Sequence, residues 1–348
     1  MQVTFLMGNG FDLNAGLKTR FSDFFKVYCK NKDQDSDTIK RFKNEIGNNV
    51  EKWSDFERQM GKYTANVWPD GVLTHEEYFT CMEDFRNNLV QYLERQERDV
   101  FVSARSYEVM QKCREMLQDP FKCLRDGQRT RLQRYVKQQP HPLNVEYDFI
   151  VFNYTSICDS YMSGIQIKGV DNYCSVPNLK AGISVNRFVH VHGKLGEEIL
   201  LGVDNDLQIE NKELRKDEKF AFYYIKPTIN SKLQTGYDEA AKQLIESSNI
   251  IIIYGMSIGE TDKTWWKLIA DRLLAGEKGQ ECFLVVYLND GTLHRSSAGD
   301  AIKSQIEIRN KFLKVLESKS DIDEKDREYV SEHIFCALNT DILTPDKL

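Results

Sequence analysis

Apolar residues in this chain recur in two rhythms. Residues 3–7 (VTFLM) form a short apolar run that stops at Gly8, and so short a run suits a buried parallel strand better than a helix. Similar runs lie at 148–152, 187–191, 199–203, 249–254 and 282–288, and each is read as a strand. Helical spacing falls between the later ones, at 237–247 and 261–274. This alternation predicts an α/β fold with a doubly wound, mostly parallel, Rossmann-like sheet.

The long interval between the first two strands has the other rhythm. At 78–98, Tyr78, Met82, Phe85, Leu89, Tyr92 and Leu93 make one apolar stripe on a helix otherwise rich in Glu, Arg and Gln, the pattern of a bundle helix whose aromatic residues belong to a core. A second amphipathic stretch follows at 104–117. On pattern, the chain divides into an α/β core of residues 1–22 and 143–348 and a large helical insertion of residues 23–142. From Ala301 onward it is charged, has helical spacing, and is expected to pack against the sheet.

Composition narrows the classes of function. The chain has 348 residues and a formal charge of -6, so net charge offers no general attraction for nucleic acid. Eight cysteines (Cys29, Cys81, Cys113, Cys123, Cys158, Cys174, Cys282 and Cys336) include no C-x-x-C pair, which argues against a zinc module or a disulfide framework. The first residues lack a basic leader and no segment reaches the length of a membrane span, so a soluble, cytoplasmic protein with no membrane partner is expected.

Candidate chemistry gathers where the expected strands end. Gly8-Asn9-Gly10 follows the first strand and opens a helix; glycines there permit positive φ and the close approach of a ligand to helix amides. Asp12 would cap that helix or reach a ribose hydroxyl. Phe152-Asn153-Tyr154-Thr155 ends the second strand, where open α/β sheets place ligands, although Asn is also a common turn former. In Val189-His190-Val191-His192-Gly193 the two histidines share one face. No acidic or cysteine partner completes a metal set, so no metal is expected. His192 sits at the pocket rim and His190 one pleat deeper, as a structural residue. Tyr254-Gly255-Met256-Ser257 repeats the strand, glycine and helix-start arrangement. Thr261 and Asp262 read there as caps, and Trp265 and Trp266 as packing.

In order, the blocks GNGFDLNAGLKT, FNYT, HVHG, LGVD and YGMSIGETDKTWW, which span residues 8 to 266, resemble the bacteriophage abortive-infection AbiH-like family. That family is distantly similar to the SIR2 group of NAD-binding proteins. The resemblance implies a SIR2-like core in which Gly8, Asn9 and Gly10 hold the dinucleotide phosphates and Asn153 lies beside the nicotinamide. His192 would be the catalytic histidine, Gly255 and Ser257 would line the adenosine half, and Asp12, Tyr154 and Gly193 would complete the cofactor-binding set. Sirtuin-like motifs put an acid two residues after the Asn, where this chain has Thr155, and the four zinc cysteines of deacetylating sirtuins are missing.

The expected activity is therefore NAD cleavage by water at the nicotinamide-ribose bond, in an anti-phage effector. Catalysis is assigned to His192 as a proton acceptor half titrated near neutrality and to Asn153, which would orient the water or the leaving amide. The alternative is a non-catalytic nucleotide-binding sensor or assembly module. Compatible partners are a nucleotide ligand, a phage-derived trigger and a homo-oligomer. A nucleic-acid-directed toxin is the third reading. Asp204 and Asp206 are the only close acidic pair near an expected strand end, and a solvated loop explains them.

Overall fold

A computed structural model describes residues 1–30, 34–259, 262–276, 281–289, 292–294, 296–317, 322–340 and 342–343. It contains seven strands: β1 (Gln2–Met7), β2 (Leu143–Val151), β3 (Gln166–Val170), β4 (Ala181–His190), β5 (Ile250–Tyr254), β6 (Phe283–Leu288) and β7 (Ile334–Leu338). They form one sheet in the order β3-β4-β2-β1-β5-β6-β7. Every pairing is parallel except that of β3 with β4. The chain is a mixed α/β protein.

Period-two alternation sorts the central strands onto two faces. Val3, Phe5 and Met7 of β1 point into one core with Phe149, Val151, Ile252 and Tyr254, covered by Phe11, Val109, Leu117 and Leu132 from helices. Leu6 points the other way with Ile150, Ile251 and Ile253, against Leu244, Trp266, Ile269 and Phe312. Buried on both faces, β5 (IIIIY) is apolar throughout, as a strand inside a parallel sheet must be. Trp265 and Trp266 are buried packing residues.

A third core lies in a helical cap. Phe24, Phe42, Trp53, Phe56, Tyr78 and Phe85 pack together and against Leu201, Val203, Tyr224 and Ile225. The helix His75–Phe101 carries the expected stripe, with Tyr78, Met82, Phe85, Leu89 and Leu93 buried. Its N-terminus is fixed by a capping box in which Thr74 and Glu77 satisfy each other's amides. The segment 23–142 serves two cores, because the helices Ala104–Gln118 and Asp126–Lys137 cover the sheet with Cys113, Met116, Leu132 and Val136. Residues 201–225 in turn complete the cap.

Three elements differ from the sequence expectation. Residues 199–203 are not a strand: the chain leaves β4 through Gly193 and Gly196, both at positive φ, and Val203 makes only an isolated bridge to Ile225. The tail read as helical contains β7, whose five residues (IFCAL) are all buried beside β6. The edge strand β3 (QIKGV) went unanticipated because it is mostly exposed and has no apolar run. Thr261 and its neighbour Glu260 lie outside the described residues, and the following helix is Lys263–Ala275. Among the described residues no helix is long and apolar enough to cross a membrane. Cys81, Cys113, Cys158, Cys174, Cys282 and Cys336 are buried free thiols.

The chain turns away from β1 to opposite sides, through β2 and through β5, so a crevice opens where these strands end. Two glycines close its floor. The Gly8 and Gly10 amides donate to the carbonyls of Tyr254 and Gly255 at 2.9 and 2.8 Å. A Cβ on Gly10 would lie 2.5 Å from the Gly255 Cα, and Gly255 itself has φ 69°. No side chain fits between these backbones.

Gly10→Ala is expected to destabilise the protein by about 1–3 kcal/mol through overpacking, read as a lower midpoint in denaturant unfolding. Gly127→Ala, in a helix where an added Cβ meets nothing within 4 Å, should hold or raise the midpoint. Equal effects of the two changes would contradict the glycine contact.

Candidate functional site

The carboxyl ends of β1, β2, β4 and β5 border a cavity of about 270 Å³ whose outer wall is Phe21, Glu57, Leu89 and Leu93 of the cap. Gly8, Asn9, Asp12, Asn153, Tyr154, His192, Gly255 and Ser257 all line it. Gly10 and Gly193 do not. Gly10 is packed on Gly255, and Gly193 (φ 70°) turns the chain off the sheet so tightly that a Cβ would collide with the Glu198 carbonyl.

The expected phosphate cradle needs correction. With the Gly8 and Gly10 amides engaged by Tyr254 and Gly255, these two donors serve the fold. Asn9 is held by Thr19, whose hydroxyl donates to the Asn9 Oδ1, while the Asn9 Nδ2 donates to the Thr19 carbonyl at 3.3 Å.

Asp12 is the centre of the cavity's chemistry. It lies in the first helical turn after Gly8 and is 1% exposed. Its Oδ1 accepts from Asn153 Nδ2 at 2.8 Å, and its Oδ2 accepts from the Thr155 hydroxyl at 2.7 Å. The other Asn153 amide hydrogen goes to the Gly8 carbonyl at 3.2 Å. Both donors stabilise the carboxylate, but burial outweighs them and Asp12 is pushed up to about 7. A carboxyl that exchanges its proton near neutrality is suited to general acid-base work. Thr155, which stands where sirtuin-like motifs carry an acid, serves here as a ligand of Asp12.

The two histidines have different surroundings. His190 is buried, with Nε2 on Asp159 at 2.7 Å and Nδ1 on the Asn153 carbonyl at 3.2 Å, and so braces the backbone that carries Asn153. His192 lines the cavity, but it is not half titrated near neutrality: burial and the adjacent Lys226 ammonium hold it well below its ordinary range. Its ring stands edge-on to Phe152, with centroids 5.5 Å apart.

An ion cluster that sequence reasoning missed flanks His192. Lys226 Nζ lies 2.8 Å from Glu57 Oε2, 3.2 Å from Asp204 Oδ1 and 3.2 Å from His192 Nε2. Burial alone would lower the Lys226 pKa, and Glu57 and Asp204 outweigh it, so the net shift is upward. Asp204 is thus part of a half-buried ion pair and not the solvated loop residue expected, while Asp206 is exposed. Tyr154 donates to Glu57 Oε1 at 3.3 Å. Asp262, on the cavity wall, is pushed up to about 7 by burial. Its Oδ1 is buried without a hydrogen-bond partner among the described residues. Those residues hold no group of three or more His, Cys, Asp or Glu side chains suited to a metal ion.

Little in the sequence marks these groups. Glu57 and Lys226 sit on short helices with no strand end beside them, and only the LGVD block at Asp204 pointed there. The fold and cavity define a mixed α/β protein with a buried acidic site at the carboxyl edge of its sheet. Residues 4–279 match the model of the family described as bacteriophage abortive infection AbiH, and the chain belongs to that family. Its membership places it among abortive-infection proteins of antiviral defence. No curated protein and no solved structure matches it.

Asp12 also sets a stability cost. Its pKa is higher in the folded chain than in the unfolded one, so its contribution is favourable below the ordinary carboxyl range and is lost as pH rises through about 7. Asp12→Asn keeps the geometry, accepting from Asn153 and donating to Thr155. It should raise the melting temperature at pH about 8 by an amount equivalent to roughly 1–4 kcal/mol, and the gain should shrink as pH falls below 7. A gain independent of pH would contradict the buried, titrating carboxyl.

Proposed function

We propose that the cavity binds NAD or a related nucleotide and hydrolyses its nicotinamide-ribose bond, and that the loss of nucleotide arrests the infected cell. The observation that carries this reading is Asp12, a buried carboxyl at the cavity wall with its pKa near 7, held at both oxygens by Asn153 and Thr155. Departure of nicotinamide leaves positive charge on the anomeric carbon. A water oxygen bonds to that carbon, the carbon-nitrogen bond breaks with its electron pair going to nicotinamide, and Asp12 takes the proton from water. Asn153 and Thr155 are positioning residues that fix the carboxylate for this transfer. The Oδ1 of Asp262, without a hydrogen-bond partner among the described residues, is available to a hydroxyl or carboxamide donor of the ligand. Asn9, Tyr154, Gly255 and Ser257 supply the remaining polar wall.

Incubation of the purified chain with NAD is expected to release nicotinamide. The rate should rise with pH through about 7, because only the ionised carboxylate accepts a proton. Asp12→Asn should slow release by about 100-fold or more while still binding nucleotide. Bound NAD without product from the wild type would make the chain a nucleotide-binding module. A pH-independent rate would remove Asp12 as the acceptor.

A further inference from the structure

The LGVD block, residues 201–204, does not line the nucleotide cavity, yet it is built to close tolerance. A Cβ on Gly202 would lie 2.5 Å from the Tyr224 carbonyl oxygen. That approach lets Val203 exchange backbone hydrogen bonds with the start of the helix Lys226–Leu233: Val203 N donates to the Tyr224 carbonyl at 2.8 Å and Lys226 N to the Val203 carbonyl at 2.9 Å. The bridge sets Asp204 and Lys226 side by side. From there the Lys226 ammonium reaches Glu57, Asp204 and His192.

An ammonium has three donors and no acceptor. Its contact with His192 Nε2 at 3.2 Å therefore requires that nitrogen to be unprotonated and accepting, which places the ring proton on Nδ1. A backbone hydrogen bond to Phe152 also holds the ring. His192 lines both the nucleotide cavity and a second cavity of about 310 Å³, and Lys226 lines only the second. The imidazole lone pair is thus turned to Lys226 and filled. The carboxyls that face Lys226 are Glu57, Asp204 and Asp262, and they favour its charged form.

We infer that Lys226, set in place by the Gly202-Val203 bridge, is a positioning residue that locks His192 as a neutral Nδ1–H imidazole with its Nε2 occupied. His192 then shapes the wall and accepts no proton, so the acceptor is one of the cavity's carboxyls, which the proposed reaction takes to be Asp12. Only this last consequence rests on the hydrolytic reading above.

The test is nitrogen NMR of the full chain labelled at histidine, with the His192 signal assigned by its loss in His192→Gln. The wild type is expected to show His192 neutral, protonated on Nδ1, and unchanged between about pH 5 and pH 8. Lys226→Met should free Nε2 and bring His192 into titration or tautomer exchange within that range, and Lys226→Arg should restore the locked signal. A wild-type His192 that is protonated, or that carries its proton on Nε2 at neutral pH, overturns the inference even where Lys226→Met does not fold. So does a folded Lys226→Met with the wild-type signal. Nicotinamide release is scored separately on the wild type, so its absence removes the hydrolytic reading and leaves the tautomer result standing.

Discussion

Backbone meets backbone between Gly10 and Gly255, where the amide of one donates to the carbonyl of the other at 2.8 Å. This contact fastens the turn after β1 to the end of β5 and fixes the axis of the helix Asn9–Ala15. One turn into that helix Asp12 faces Asn153 and Thr155, which arrive from the end of β2. The placement of the carboxyl thus follows from parallel pairing on both sides of β1 and from two positions where any side chain is too large.

Two ways of handling buried charge meet at the cavity. Asp12 has Asn153 and Thr155 as neutral donors, and burial dominates and leaves it poised near 7. Glu57 and Asp204 have Lys226 within 2.8 and 3.2 Å, which offsets part of their desolvation and leaves both carboxyls shifted upward. A titrating acid lines one cavity, and an ion cluster stands behind its wall, reaching it through Glu57 and His192. His192 belongs to the second set, through Lys226, although its place at a strand end suggested the first.

Apolar rhythm made most of the sheet legible. Buried central strands must be apolar on both faces, so β1, β5, β6 and the end of β2 announce themselves, and the stripe on the helix His75–Phe101 marks a core. The exposed edge strand β3 lacks that signal, and residues 199–203 imitate it because they are buried in the cap as irregular backbone. Strand-end motifs located the cavity for the same topological reason, since parallel strands deliver their carboxyl ends to one edge. Roles within it were harder to read. Gly10 and Gly193 looked like ligand contacts and serve packing and turning, and Lys226 comes from a bridge that no periodicity records.

In the proposed reaction, water activated by Asp12 attacks a nucleotide in this cavity. Hydrolysis of NAD in oxygen-18 water, followed by mass spectrometry, tests it directly. The expected products are nicotinamide and ADP-ribose that carries one heavy oxygen from the solvent, formed by the wild type and about 100-fold or more slowly by Asp12→Asn. Intact NAD after prolonged incubation with the folded wild type, or ADP-ribose free of the label, would contradict it.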